Sequence, residues 1–236
     1  MNNKIQKPPQ SQPPSARADI EAFLQQVRTA APVNATGRGR LMFALDATQS
    51  RQPTWDLACQ LQGEMFEQVA AIGGLQVQLV YYRSLSECKA SDWVPEPRRL
   101  AKIMSGIHCR SGATQIGKVL SHTLRESANA SVGTLVFVGD AMEEKLDTLS
   151  GLAGQLGQRN VRAFMFQEGD DPVAERAFRD IARLTHGAYC RFAPGAADEL
   201  RELLRAAAAY AAGGMQAIEY LKGRHGGVVK LIEQLK

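Results

Sequence analysis

The stretch Leu41-Met-Phe-Ala-Leu-Asp46-Ala-Thr48-Gln-Ser50 is an apolar run that stops at a carboxylate and continues with two hydroxyls at alternate positions. A hydrophobic strand ending in Asp-x-Thr-x-Ser puts hard oxygen donors at its C-terminal edge. Open α/β sheets place their ligands at that edge, so any function is to be sought there first.

The chain after this strand alternates between strand and helix patterns. Residues 53–72 space Trp55, Leu57, Ala58, Leu61, Met65, Phe66 and Val69 along an apolar face, and Gly73-Gly74 stops that helix. Residues 75–82 alternate and then turn wholly apolar, as a largely buried strand does. A tight reversal near Cys88 predicts a short strand antiparallel to its neighbour. Helices are predicted over 97–104, 114–127, 146–156 and 197–212, and strands over 135–138, 161–166 and 188–192. Asp171-Pro172 opens a further helix in the N-cap and N1 positions, with Phe178, Ile181, Ala182 and Thr185 on one face before Gly187. Repeated βα units imply a doubly wound, Rossmann-like three-layer sandwich. Its six-stranded sheet is mostly parallel, with one short antiparallel edge strand.

At 236 residues the chain accommodates one sizeable α/β domain with extensions. Residues 1–18 carry Pro8, Pro9, Pro13 and Pro14 among Gln and Ser, a composition expected to be disordered and without the apolar core of a signal peptide. Residues 19–36 hold a leading helix, with Ile20, Phe23, Leu24 and Val27 in helical spacing, and a connector. The domain proper is expected over 37–212. Beyond Gly213-Gly214, residues 213–236 read as two short helical stretches, either docked on the domain or forming a partner-binding arm.

The net charge is +4, but the basic residues are dispersed among 24 acidic ones, which argues against nucleic acid as a partner. No apolar run approaches the roughly 20 residues of a membrane span. Cys59, Cys88, Cys109 and Cys190 form no CxxC pair, so reduced thiols in a cytoplasmic protein are expected. Pairing His108-Cys109 with His186 and Cys190 as a soft-metal site has no further support in the sequence.

Two later segments are placed to complete the first strand's site. Ser111-Gly112-Ala113-Thr114 precedes a helix, and Thr134-Leu-Val-Phe-Val-Gly139-Asp140 is a second apolar strand ending in Asp. The three pieces together resemble the von Willebrand factor A domain, over roughly residues 37–212, and its metal-ion-dependent adhesion site (MIDAS). The pattern of that site is Asp-x-Ser-x-Ser, then Thr, then Asp. Here it falls on Asp46, Thr48, Ser50, Thr114 and Asp140. Thr48 stands for the first Ser and keeps the hydroxyl, and Gly139-Asp140-Ala141 stands for the usual Thr-Asp-Gly. Ile181-Ala-Arg-Leu-Thr-His-Gly187-Ala-Tyr189 is similar to the family's late helix-to-strand turn.

The resemblance implies a Mg²⁺ or Mn²⁺ ion held by these five residues, with Asp46 and Asp140 acting through water and Thr114 exchanged on switching. A partner protein's Asp or Glu carboxylate would complete the coordination. It further implies a non-enzymatic adaptor or regulatory subunit of bacterial intracellular type, since such domains often partner AAA-type ATPases. The residues themselves leave other readings open. Strand-end Asp46 and Asp140 can cap the helices that follow, as can Ser50 and Thr114. Glu143 and Glu144 read as a solvated helix start or as an acidic rim, and Trp93 as an interface residue or a packed one. A Rossmann-like hydrolase or phosphotransferase using Asp46 is a further alternative, although Thr48 replaces the second carboxylate that acid/base chemistry there requires. Gly112 to Lys118 has P-loop spacing, but Val119 takes the place of the Ser or Thr that would hold Mg²⁺.

Overall fold

The computed structural model describes residues 39–70 and 75–222, together with Gln25. The expected N-terminal tail and nearly all of the leading helix, like the last 14 residues of the C-terminal extension, lie outside the described residues.

Six strands form one sheet: β1 (Gly39–Asp46), β2 (Leu75–Arg83), β3 (Glu87–Ala90), β4 (Thr134–Gly139), β5 (Arg162–Glu168) and β6 (Ala188–Phe192), in the order β3-β2-β1-β4-β5-β6. All neighbours pair in parallel except β2 and β3, the antiparallel edge expected near Cys88. The helices are α1 (Gln52–Ala70), α2 (Pro97–Ser105), α3 (Ile116–Asn129), α4 (Leu146–Gln158), α5 (Pro172–Leu184) and α6 (Ala197–Lys222).

The two-residue period of β1 divides the core. Leu41, Phe43 and Leu45 face one layer with Trp55 and Ala58 of α1, Leu100 and Met104 of α2, and Leu200, Leu203 and Leu204 of α6. Met42 and Ala44 face the other with Ile116 and Val119 of α3, Leu149 and Ala153 of α4, and Phe178 and Ile181 of α5. Burial on both faces explains why β1 and β4 read as unbroken apolar runs. Strand order reverses beside β1, where β4 rather than β3 is its second neighbour. The C-terminal ends of β1 and β4 therefore flank a crevice at a topological switch point, the usual ligand position in open α/β sheets.

Two helix ends repay comparison with the sequence. Asp171 caps α5 as expected, its Oδ1 accepting hydrogen bonds from the backbone N–H groups of Val173 and Ala174 at 2.7 and 2.9 Å. At the other end of α5 the left-handed residue is His186 (φ 51°) rather than Gly187. Gly187 is needed for space, because a Cβ there would lie 2.0 Å from the carbonyl oxygen of Ala163 on β5. The break expected at Gly213-Gly214 is not seen: α6 continues through both glycines to Lys222. Each glycine costs a helix only about 1 kcal/mol against alanine, and the run Ala206 to Ala212 supplies strong propensity immediately before them.

Candidate metal and partner-binding site

Three chain segments converge at the switch point. The first follows β1. Asp46 is 3% exposed, and its Oδ1 accepts from the backbone N–H of Thr48 at 2.7 Å, so the carboxylate shapes the turn that carries the two hydroxyls. Thr48 Oγ1 and Ser50 Oγ lie 3.5 Å apart, and Ser50 Oγ donates to Asp140 Oδ2 at 3.4 Å. Asp140 directly follows β4 and provides the second segment.

The third segment is the loop before α3, which the β2–β3 turn holds in place. Gln115 Nε2 donates to the carbonyl oxygens of Arg83, Ser84 and Glu87, and Ala113 N–H to that of Ser84. Gly112 is required where this loop crosses the turn, since a Cβ would come within 2.2 Å of the Ser84 oxygen. Thr114 is thereby buried at the crevice and linked twice to Glu143. Its N–H donates to Glu143 Oε2 at 3.1 Å, and its Oγ1 accepts from Glu143 N–H at 3.0 Å.

Asp46, Thr48, Ser50, Thr114 and Asp140 all line one cleft of about 260 Å³, together with Gln49, Ser111, Gly112, Ala141 and Glu143. Asp46 does cap its own turn, whereas Thr114 does not cap α3, whose N-cap is Gln115. Glu143 is exposed at the edge of the cleft, whereas Glu144 is not a solvated helix start. Glu144 reaches across to accept from Ile116 N–H and Gly117 N–H, capping α3 from another loop.

Burial pushes the Asp46 carboxyl above its ordinary range and the Asp140 charge adds to this, while the Thr48 hydrogen bonds and Arg51 oppose it. The donors are hydroxyl and carboxylate oxygens, the hard set that suits Mg²⁺ or Mn²⁺ rather than a soft metal. Beneath them the fully buried Tyr82, Asp46's neighbour across the β1–β2 pairing, has its hydroxyl beside the Asp46 carboxylate without a well-formed hydrogen bond. Burial, and then the Asp46 charge, raise that phenol well above its usual pKa.

Other candidate residues lie elsewhere. None of His108, His122 and His186 lines the cleft, and His122 is engaged with Gln78 at 2.9 Å. Lys118, the final residue of the P-loop-like spacing, donates to the Ser86 carbonyl and to Gln115 Oε1, and residues 107–115 before α3 include no strand. Trp93 packs: its ring lies 3.8 Å from the Arg40 guanidinium, and its Nε1 donates to Glu126. Among the described residues no three His, Cys, Asp or Glu side chains gather as a metal cage, which removes the His/Cys pairing.

A buried ion pair that the sequence analysis missed lies beneath the cleft. Arg51 pairs with Glu168 at the end of β5, and its Nη1 lies 3.9 Å from Asp140 Oδ2. The two partners are 117 positions apart, so no local pattern could have shown it.

A six-stranded, mostly parallel sheet covered by helices on both faces is a doubly wound, Rossmann-like α/β fold. More narrowly, the fold is von Willebrand factor A-like. It is similar to the SpRpn10 VWA domain (TM-score 0.56, 14% identity, 69% of this chain and 94% of that one). It is also similar to an aerotolerance-related membrane protein from Bacteroides fragilis (0.55, 14%, 72% and 98%), and to the pilus adhesin SpaC from Lactobacillus rhamnosus GG (0.58, 11%, 82% and 32%). No protein-family model matches the chain, and no curated protein matches it. No helix among the described residues is long and apolar enough to cross a membrane.

Proposed function

We propose that this chain is a non-enzymatic, metal-dependent protein-interaction module. Asp46, Thr48, Ser50, Thr114 and Asp140 would hold Mg²⁺ or Mn²⁺, and a partner protein would supply an Asp or Glu carboxylate to it. The observation that carries this reading is the convergence of all five residues, from three separate segments, on one open cleft. Three of the five donors are neutral hydroxyls, so a divalent ion there would keep affinity for one more anion. Thr114, tied to Glu143, is the donor best placed to be exchanged as that anion arrives.

The setting we propose is an adaptor or regulatory subunit in the bacterial cytoplasm. Four free cysteines support a reducing compartment. An AAA-type ATPase complex is the partner class suggested by analogy with other domains of this fold, and by analogy alone.

The test is water-proton relaxation with Mn²⁺ bound to the protein. The expected result is strong relaxation enhancement from exchangeable water on the ion, reduced on adding acetate as a surrogate carboxylate. Bound Mn²⁺ with no exchangeable water would mean a closed cage with no place for a partner.

A further inference from the structure

The Arg51–Glu168 pair is expensive to bury and must be held in place. Arg51 and Glu168 are 3% and 8% exposed at the side chain, and removing such charges from water costs several kcal/mol each. Glu168 is fully engaged: one oxygen takes Arg51 and the Thr54 hydroxyl, and the other accepts from Gly195 N–H at 3.2 Å. Arg51 is less completely satisfied. Its Nε is buried without a hydrogen-bond partner, and its Nη1 stands between Glu168 and Asp140, 3.9 Å from the latter. A fixed positive charge thus sits directly behind a carboxylate of the cleft, restrained from it by Glu168.

We propose that Arg51 is a built-in competitor for Asp140 that lowers the cleft's affinity for a divalent cation, and that Glu168 sets how strongly it competes. This rests on the metal-binding reading above. A like charge in a partly buried site repels an incoming cation far more than it would in water. The Glu168 carboxylate balances most of Arg51's charge. Replaced by an amide, it leaves Arg51 to pair with Asp140, 3.9 Å away, which withdraws that carboxylate from the cation. Arg51 and Glu168 therefore act as positioning residues, with opposite effects on the same ion.

The experiment is a Mn²⁺ titration of the full chain, reading free Mn²⁺ by electron paramagnetic resonance, with thermal melts to confirm folding. Glu168→Gln is expected to weaken Mn²⁺ binding about tenfold, the order expected for one uncompensated charge at a partly exposed site. Arg51→Met added to Glu168→Gln is expected to restore binding to the wild-type level or tighter. A purely structural role predicts the reverse, because removing both partners would only disturb the site further. A double variant as weak as Glu168→Gln, or a Glu168→Gln that binds like wild type, overturns the proposal and leaves the metal reading intact. Wild-type protein that binds no Mn²⁺ overturns both.

Discussion

Ser50 Oγ donates to Asp140 Oδ2 at 3.4 Å across 90 positions of sequence. That contact joins the turn after β1 to the end of β4 and closes one side of the cleft. Ser50→Ala is expected to leave the fold in place, because Ser50 is exposed and surface truncations usually change stability by less than about 0.5 kcal/mol. The same variant should bind Mn²⁺ clearly less tightly, which isothermal titration can check. An unchanged affinity would remove Ser50 from the set of donors.

Gly112 sets the position of Thr114. A methyl at residue 112 would overlap the Ser84 backbone, with 2.2 Å to the oxygen and 2.4 Å to the nitrogen, and backbone cannot swing aside as a side chain can. Gly112→Ala is expected to cost about 1–3 kcal/mol, as overpacking does, and to weaken metal binding together with stability. Chemical denaturation and Mn²⁺ titration would show both changes. A variant as stable as wild type would mean that the loop before α3 is not seated on the β2–β3 turn.

The sheet was legible because its central strands are buried on both faces, so Leu41 to Leu45 and Leu135 to Val138 carry no polar interruption. The convergence of Asp46, Thr48, Ser50, Thr114 and Asp140 on one cleft was legible because each sits near a strand end or just before a helix. What escaped the sequence was tertiary in origin. Glu144 caps a helix that begins 28 residues before it, and Arg51 finds Glu168 only when β1 and β5 lie in one sheet. Gly213-Gly214 misled because glycine is a weak helix breaker when strong helix formers flank it.

Tyr82 buries a hydroxyl that makes no well-formed hydrogen bond, with the Asp46 carboxylate beside it, while its ring stacks on Phe137 with centroids 6.3 Å apart. Tyr82→Phe keeps the ring and removes the unsatisfied group. It should leave stability unchanged or raise it by about 1 kcal/mol, as read from urea midpoints at a constant m-value. A loss of more than about 1 kcal/mol would show that the hydroxyl has a partner.

Cys59 and Cys109 provide a pH test. Burial above all, and secondarily Asp56 for Cys59 and Asp46 for Cys109, push both thiols up to about 11. The folded value lies above the unfolded one. Their contribution to stability is therefore complete below the unfolded thiol pKa and is lost as the pH rises from there through about 11. At pH 8 the native chain should hold on the order of a hundredfold less thiolate at these positions than the unfolded chain. Iodoacetamide labelling followed site by site with mass spectrometry should be correspondingly slow and should accelerate in urea. Equal rates in the folded and unfolded chain would contradict the burial of these thiols.

Asp46 organises the turn that carries both hydroxyls, its Oδ1 accepting from Thr48 N–H at 2.7 Å. Asp46→Asn keeps an oxygen for that bond and removes only the charge, so it separates folding from metal binding. The decisive measurement is a Mn²⁺ titration of wild type and Asp46→Asn side by side, following free Mn²⁺ by electron paramagnetic resonance. Saturable binding is expected for the wild type, and binding weaker by about tenfold or more for a variant that melts within a few degrees of it. Equal affinity in the two proteins, or no binding by the wild type even with acetate present, would contradict the metal-binding reading.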